Sequence, residues 1–168
     1  WGAQWLDADL DGWLDLAVTN GHVNNVLDHG KPYRMPSLLY RNLGNGRLRW
    51  QPPEAFDDYF QQPVLGRGMV RCDVNRDGRD DLVMTHLDRP PALLWNRSGQ
   101  DSSGIGLRLV AVNSAREAVG TTVTVETNAR SLVRQLTAGD GNQSCNQRRL
   151  VFGLGRDHRL QTVTVRWP

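Results

Sequence analysis

A nine-residue acidic pattern occurs twice in this chain, 66 residues apart and inside a longer repeat, and no other feature limits the fold as much. Gly2-Ala-Gln-Trp-Leu-Asp7 aligns with Gly68-Met-Val-Arg-Cys-Asp73. Asp7-Ala-Asp-Leu-Asp-Gly-Trp-Leu-Asp-Leu16 then aligns with Asp73-Val-Asn-Arg-Asp-Gly-Arg-Asp-Asp-Leu82, and the match runs on through Thr19 and Thr85. A second apolar segment follows each loop: Leu38-Leu39-Tyr40-Arg41-Asn42 in the first copy, Leu93-Leu94-Trp95-Asn96 in the second. The first copy carries an extra connection of eleven residues within residues 22–36, where Gly30, Pro32 and Pro36 mark a surface loop. Asn42-Leu-Gly-Asn-Gly46 is a turn signal, so residues 47–51 form the next strand.

Each unit thus reads strand, acidic loop, strand, turn, strand. That is the order of a β-propeller blade, and two blades cannot close a ring that needs about four to eight. The chain begins at Trp1 and is expected to be the end of something longer, with any export signal upstream. Residues 1–97 hold the two repeats, and residues 98–104 read as a linker. Residues 105–168 change texture: Val119, Thr121, Val123 and Val125 alternate with polar or small residues, as do Val163, Val165 and Trp167. Period-two patterns of β-branched residues predict half-buried strands. Partners at 107–112, 132–136 and 150–152 make a small all-β domain of about five strands, and a short helix is expected at most at 53–60.

The acidic loops carry the chemistry. Asp7, Asp9, Asp11 and Asp15 stand at positions 1, 3, 5 and 9, with Gly12 at position 6. Calcium takes six to eight oxygens from carboxylates, backbone carbonyls and water. Alternate spacing turns three side chains inward, Gly12 allows the sharp turn, and the Trp13 carbonyl is a further ligand. The second loop offers Asp73, Asn75, Asp77, the Arg79 carbonyl and Asp81, one charge weaker because Asn75 is neutral. Close carboxylate pairs repel by about 4 kcal/mol at an effective dielectric of about 20, which a cation relieves. Two Ca2+ sites are therefore expected. Neither loop is an EF-hand, since position 12 is Val18 or Met84 inside a strand, and magnesium avoids such all-protein cages. Asp80 should point away, so that Asp80→Ala disturbs the protein much less than Asp11→Ala or Asp77→Ala.

Other features point away from catalysis. His22, His29, His86 and His158 lack metal-binding spacing and read as solvated loop histidines. No GxSxG elbow is present, and Gly153-Leu-Gly155 reads as a strand-end turn. The six tryptophans are expected in core or blade packing, with Trp13 the one to test for exposure. Cys72 and Cys145 read as buried free thiols, with a bridge between the halves as the alternative in an oxidising compartment. Net charge is +2, split as −2 over residues 1–97 and +4 over 98–168, which suggests neither nucleic acid nor a membrane surface.

The acidic loops resemble the FG-GAP (VCBS-type) repeats of integrin-like β-propellers. Asn113-Ser-Ala-Arg-Glu-Ala-Val-Gly120, Phe152-Gly-Leu-Gly155 and Val165-Arg-Trp-Pro168 resemble the ASPIC/UnbV domain of the cartilage acidic protein-like family. Asn20-Gly-His-Val23, Tyr33-Arg34 and Arg67-Gly68 look like that family's last propeller blades, whereas Ser144-Cys145 departs from its Ser-Gln. The resemblance implies a secreted calcium-binding propeller followed by a β-sandwich-like domain. The expected function is adhesion or protein interaction at the cell exterior or in the periplasm, with a protein or glycan ligand, no nucleic acid, no membrane insertion and no catalysis. A carbohydrate-binding module and a propeller-type polysaccharide-active enzyme are the rival readings.

Overall fold

The computed structural model describes residues 1–25, 30, 32–56, 58–156 and 159–168; His29 and His158 lie outside the described residues. The fold is all-β, with twelve strands among the described residues. The first repeat forms a four-stranded antiparallel meander of β1 (Ala3–Leu6), β2 (Asp15–Val18), β3 (Leu38–Asn42) and β4 (Leu48–Gln51). The second forms a three-stranded sheet of β5 (Gly66–Cys72), β6 (Asp81–His86) and β7 (Ala92–Leu94). The region where a short helix was expected holds two 3-10 turns, Pro53–Ala55 and Asp58–Gln61. No helix among the described residues is long and apolar enough to cross a membrane.

The repeat is exact in register across the loops. Leu6 stands opposite Asp15 as Cys72 stands opposite Asp81. Pairing also corrects the length of the insertion. Asn42 lies 27 residues beyond the Asp15 that it contacts, and Asn96 lies 15 beyond Asp81, so the first copy is longer by twelve residues and not eleven.

Residues i and i+2 of a strand share a face, and directly paired residues share it too. On the second sheet, one such face carries Met69, Leu82, Met84 and Leu94, and it packs on Leu6, Ala17 and Leu39 from the first sheet. The positions of the first sheet equivalent to that buried face are Ala3, Leu16, Val18 and Tyr40. Their row continues through directly opposed Trp5, Leu16, Tyr40 and Trp50, across all four strands. This face is apolar yet open, with Trp5 and Trp50 about half exposed (50% and 49%). The expectation that the tryptophans are packed away fails generally: all six are between 39% and 55% exposed.

The remaining strands are β8 (Ser103–Leu107), β9 (Thr122–Thr127), β10 (Ser131–Gln135), β11 (Leu150–Gly155) and β12 (Leu160–Arg166). They form one sheet in the order β10-β9-β12 and one pair, β11-β8. Phe152, Val123, Val125, Leu132 and Leu150 are buried between them. The strand expected at 107–112 is instead β8, shifted upstream into Ser103-Gly-Ile-Gly-Leu107.

Strand β11 is the seam between the two parts. Gly153 and Gly155 flank an irregularity in its pairing with β8: Gly153 lies inside the strand, whereas Gly155 ends it at positive φ (73°), as the strand-end reading expected. The Leu10 carbonyl accepts a hydrogen bond from the Gly155 N–H at 2.9 Å, and a Cβ at residue 153 would collide with the Leu10 backbone. Gly153→Ala is therefore expected to destabilise the protein by about 1–3 kcal/mol, the usual cost of forcing atoms into a filled interior, read from urea unfolding.

Candidate acidic-loop site

Both loops fold the same way because the same atoms are bonded. Gly12 and Gly78 have φ of 91° and 96°, as a position-6 glycine requires. Position 4 is also left-handed in each loop, at Leu10 (φ 55°) and Arg76 (φ 62°), although neither is glycine. Such non-glycine residues are uncommon and must be held by their surroundings. Leu10 is held by burial and by its carbonyl's bond to β11.

Position 9 fastens the loop to the sheet. Asp15 accepts hydrogen bonds from the N–H groups of Ala8 (3.1 Å) and Asn42 (2.7 Å), and Asp81 from those of Val74 (3.0 Å) and Asn96 (2.8 Å). Asn42 and Asn96 also close turns, accepting bonds from the N–H groups of Gly44 and Ser98, and donate side-chain amides to the carbonyls of Leu14 and Asp80. Sequence reading missed these asparagines as part of the motif, although each ends the second apolar segment of its repeat.

Position 1 faces the C-terminal part. Asp7 accepts bonds from the N–H groups of Gly12 (3.0 Å) and Gly153 (2.8 Å). Asp73 accepts bonds from the N–H groups of Asp77 and Gly78, both at 3.0 Å, and from the guanidinium of Arg149. Position 5 turns back on its own loop: Asp11 accepts from the Trp13 N–H and Asp77 from the Arg79 N–H, both at 2.9 Å. Asn75 bonds Asp77 through both ends of its amide.

The loops differ in what converges. Asp7, Asp9 and Asp11 each present a carboxylate oxygen within 4.8 Å of the others, and among the described residues this is the one such acidic trio. Oxygens that share a calcium ion at 2.3–2.6 Å are never more than about 5 Å apart, so the trio fits that ion. Asp9 Oδ1 is buried without a hydrogen-bond partner, while Arg41 Nη2 lies between its other oxygen (2.5 Å) and Asp11 Oδ2 (3.5 Å), so the first loop also has one guanidinium at its open side. Asp15 stands behind the trio with both oxygens on backbone amides. Trp13 and Arg79, whose carbonyls were the position-7 candidates, direct their side chains elsewhere: Trp13 lies under Arg130, 5.2 Å from ring centre to guanidinium, and Arg79 donates to the Ser98 carbonyl.

Burial makes the first loop a poor home for uncompensated charge. It pushes Asp7 up to about 6, against the lowering effect of the Gly153 and Gly12 amides. Burial likewise pushes Asp15 up to about 7, and raises Asp9 with help from the Asp11 charge. Arg130 and Arg134 reach this loop too, but they donate to the carbonyls of Asp11 and Gly12 and not to carboxylates.

Other expectations need correction. Asp80 is separate from the loop's network but is no bystander: it is 3% exposed and bonded to Arg71 at 3.0 Å. Asp80→Ala would leave that largely buried guanidinium only Asp140, at 3.8 Å, so a small effect is no longer expected. His86 is not a free loop histidine, since its ring nitrogens meet the Tyr59 hydroxyl (2.7 Å) and the Pro90 carbonyl (3.0 Å). Cys72 is half-buried and Cys145 exposed, both unbridged. A cavity of about 420 Å³ opens between the first two sheets, walled by Phe56, Phe60, Leu82 and Trp95, and its one carboxylate is the ion-paired Asp80.

Residues 111–168 match the family model described as ASPIC and UnbV. No curated protein matches the chain. The matched span starts after β8, the strand that completes the pair with β11.

The raised acids of the first loop fix the sign of a pH effect. An aspartate that is ionised near pH 4 when unfolded but holds its proton to about pH 6 or 7 when folded stabilises the fold below pH 4 and loses that contribution as pH rises to 7. In a chelator, the melting temperature is expected to fall between pH 4.5 and pH 8, with the slope removed by millimolar calcium, as read by calorimetry.

Proposed function

We propose that this chain is a non-catalytic, calcium-dependent binding module that works outside the cytoplasm. Its paired sheets are read as FG-GAP (VCBS-type) blades of an integrin-like β-propeller, and its C-terminal sheets as an ASPIC/UnbV domain. The observation that carries the calcium reading is the convergence of Asp7, Asp9 and Asp11, with one buried Asp9 oxygen free of any partner. A divalent cation supplies that oxygen with a ligand bond and relieves the mutual repulsion of the trio. Ordinary extracellular modules of this type bind at roughly 10⁻⁴–10⁻³ M, which calcium reaches outside the cytosol.

The blade reading has separate support in the open face of the first sheet. The equivalent face of the second sheet is buried against the first sheet's Leu6 and Ala17. By the same step of the repeat, the open row Trp5, Leu16, Tyr40 and Trp50 suits one more sheet presenting small and aliphatic residues, as a preceding blade does. Stacked repeats bury such faces in turn, and the terminal one stays uncovered without a neighbour. The same exposed tryptophans are what favours the rival reading, a carbohydrate-binding module, because indole rings stack on sugar faces. Trp50→Ala removes a sugar platform and abolishes retention on a glycan array if that rival holds.

Calcium binding is tested by titration calorimetry. Uptake with a dissociation constant between 10⁻⁴ and 10⁻³ M is expected. Asp9→Ala and Asp11→Ala should each weaken it at least tenfold, and should abolish the rise in melting temperature that calcium gives. Unchanged melting in chelator and in calcium would refute the reading.

A further inference from the structure

The second acidic loop has the pattern of the first, but the place that a cation would take is filled by the protein's own charge. Arg149 forms an ion pair with Asp73, and its other terminal nitrogen donates to the Gly78 carbonyl at 3.3 Å. Both partners are largely buried, with side chains 17% and 6% exposed. The guanidinium lies over β8 at Gly106: a Cβ there would overlap Arg149 Nε and Nη2 and make the guanidinium shift. The neighbouring Gln147 accepts a hydrogen bond from the Asp73 N–H at 2.9 Å, so residues 147–149 hold position 1 from two sides.

The rest of the loop is also occupied. Asp77 is within 3.5 Å of Arg79 Nη1 and accepts from the Asn75 amide. The positions equivalent to the first loop's trio are Asp73, Asn75 and Asp77, two acids and a neutral amide, so the second loop brings one charge fewer to the same place. The contrast is sharpest at the equivalent carboxylates. Asp7 meets a neutral N–H from Gly153, whereas Asp73 meets a full positive charge from Arg149, four residues earlier in the same segment. A buried carboxylate already paired with a guanidinium gains little from a metal that must first displace it.

We infer that the second loop is not a calcium site but a metal-independent latch, in which Arg149 stands in for the ion and locks the C-terminal sheets onto the β5–β6 loop. The chain would then take up one calcium where its sequence advertises two. This stoichiometry rests on the calcium reading of the first loop, whereas the latch does not.

The test has two arms on the full chain. Calcium titration followed by calorimetry and native mass spectrometry is expected to give one equivalent, lost in Asp9→Ala and retained in Asp77→Ala. Two equivalents in the wild type, or loss of one in Asp77→Ala, would overturn the proposal. In the second arm, Asp73→Asn, Arg149→Met and the double variant are unfolded by urea in excess chelator. The pair is expected to be coupled by roughly tenfold or more in the unfolding equilibrium constant. Additive effects would overturn the latch whatever calcium does. Zero equivalents together with strong coupling would defeat the calcium reading of the first loop and uphold the latch. If Arg149→Met fails to fold, Arg149→Lys and Gly106→Ala probe the same seat more gently.

Discussion

The rest of the structure depends on the ninth residue of each acidic loop. A buried carboxylate with no partners is costly, but Asp15 and Asp81 each receive two backbone N–H groups, one from the start of the loop and one from the end of the third strand. Those two bonds tie the loop's entry, the second strand and the third strand at a single side chain. An alanine there would orphan two part-buried amides at once and leave the Asn42 or Asn96 side chain to hold loop and strand together. Because the pin is the same in both copies, positions 1, 3 and 5 are presented at the same place above both sheets, and the copies can diverge in what they hold.

They diverge because the segment 147–155 runs past both loops and treats them differently. It gives the first loop backbone N–H groups from Gly153 and Gly155, and the second a guanidinium from Arg149. The uneven charge of the sequence acquires a structural meaning here. The acidic surplus of residues 1–97 and the basic surplus of residues 98–168 meet along this seam, where Arg130, Arg134 and Arg149 reach the two loops. Charge complementarity of this kind fixes register and orientation more than it adds raw stability.

What could be read from the chain divides along the range of the interactions. The repeat, the loops, the strand start at Asp15 and Asp81 and four of the five C-terminal strands follow from local spacing and alternation, and the all-β class follows from them. What was missed lies at contacts between distant residues. Ser103-Gly-Ile-Gly-Leu107 looked like linker into strand because glycine weakens a strand, but here Gly104 carries Leu10 and Gly106 carries Arg149 on their bare faces. Gly153-Leu-Gly155 does end its strand, but spacing gave no sign that Gly153 is bare to fit against Leu10. Asp80 was dismissed on strand alternation alone, which predicts the side a residue faces but not that Arg71 waits there. The tryptophans were assigned to core or blade packing on residue type; none is in the core, and the sheet that bears Trp5 and Trp50 has two apolar faces and one covering neighbour.

The seam also determines what a cation in the first loop can do. Leu10, Asp11 and Gly12 supply the carbonyls that bind Gly155, Arg130 and Arg134, and the same three residues lie among the acids that would hold the ion. Leu10 sits at positive φ, so the backbone there has a preferred way to relax once its constraints loosen. A ligand that draws Asp7, Asp9 and Asp11 together therefore tightens the strained turn on which β11 rests. The second loop, held by Arg149, keeps its grip on the same segment without help. If a cation binds the first loop as proposed, one end of the seam is set by the chain's own charge and the other by that ion. On that proposal the C-terminal sheets would be held at Arg149 whatever the surroundings, and at the Asp7–Gly153 contact in a way that depends on the ion.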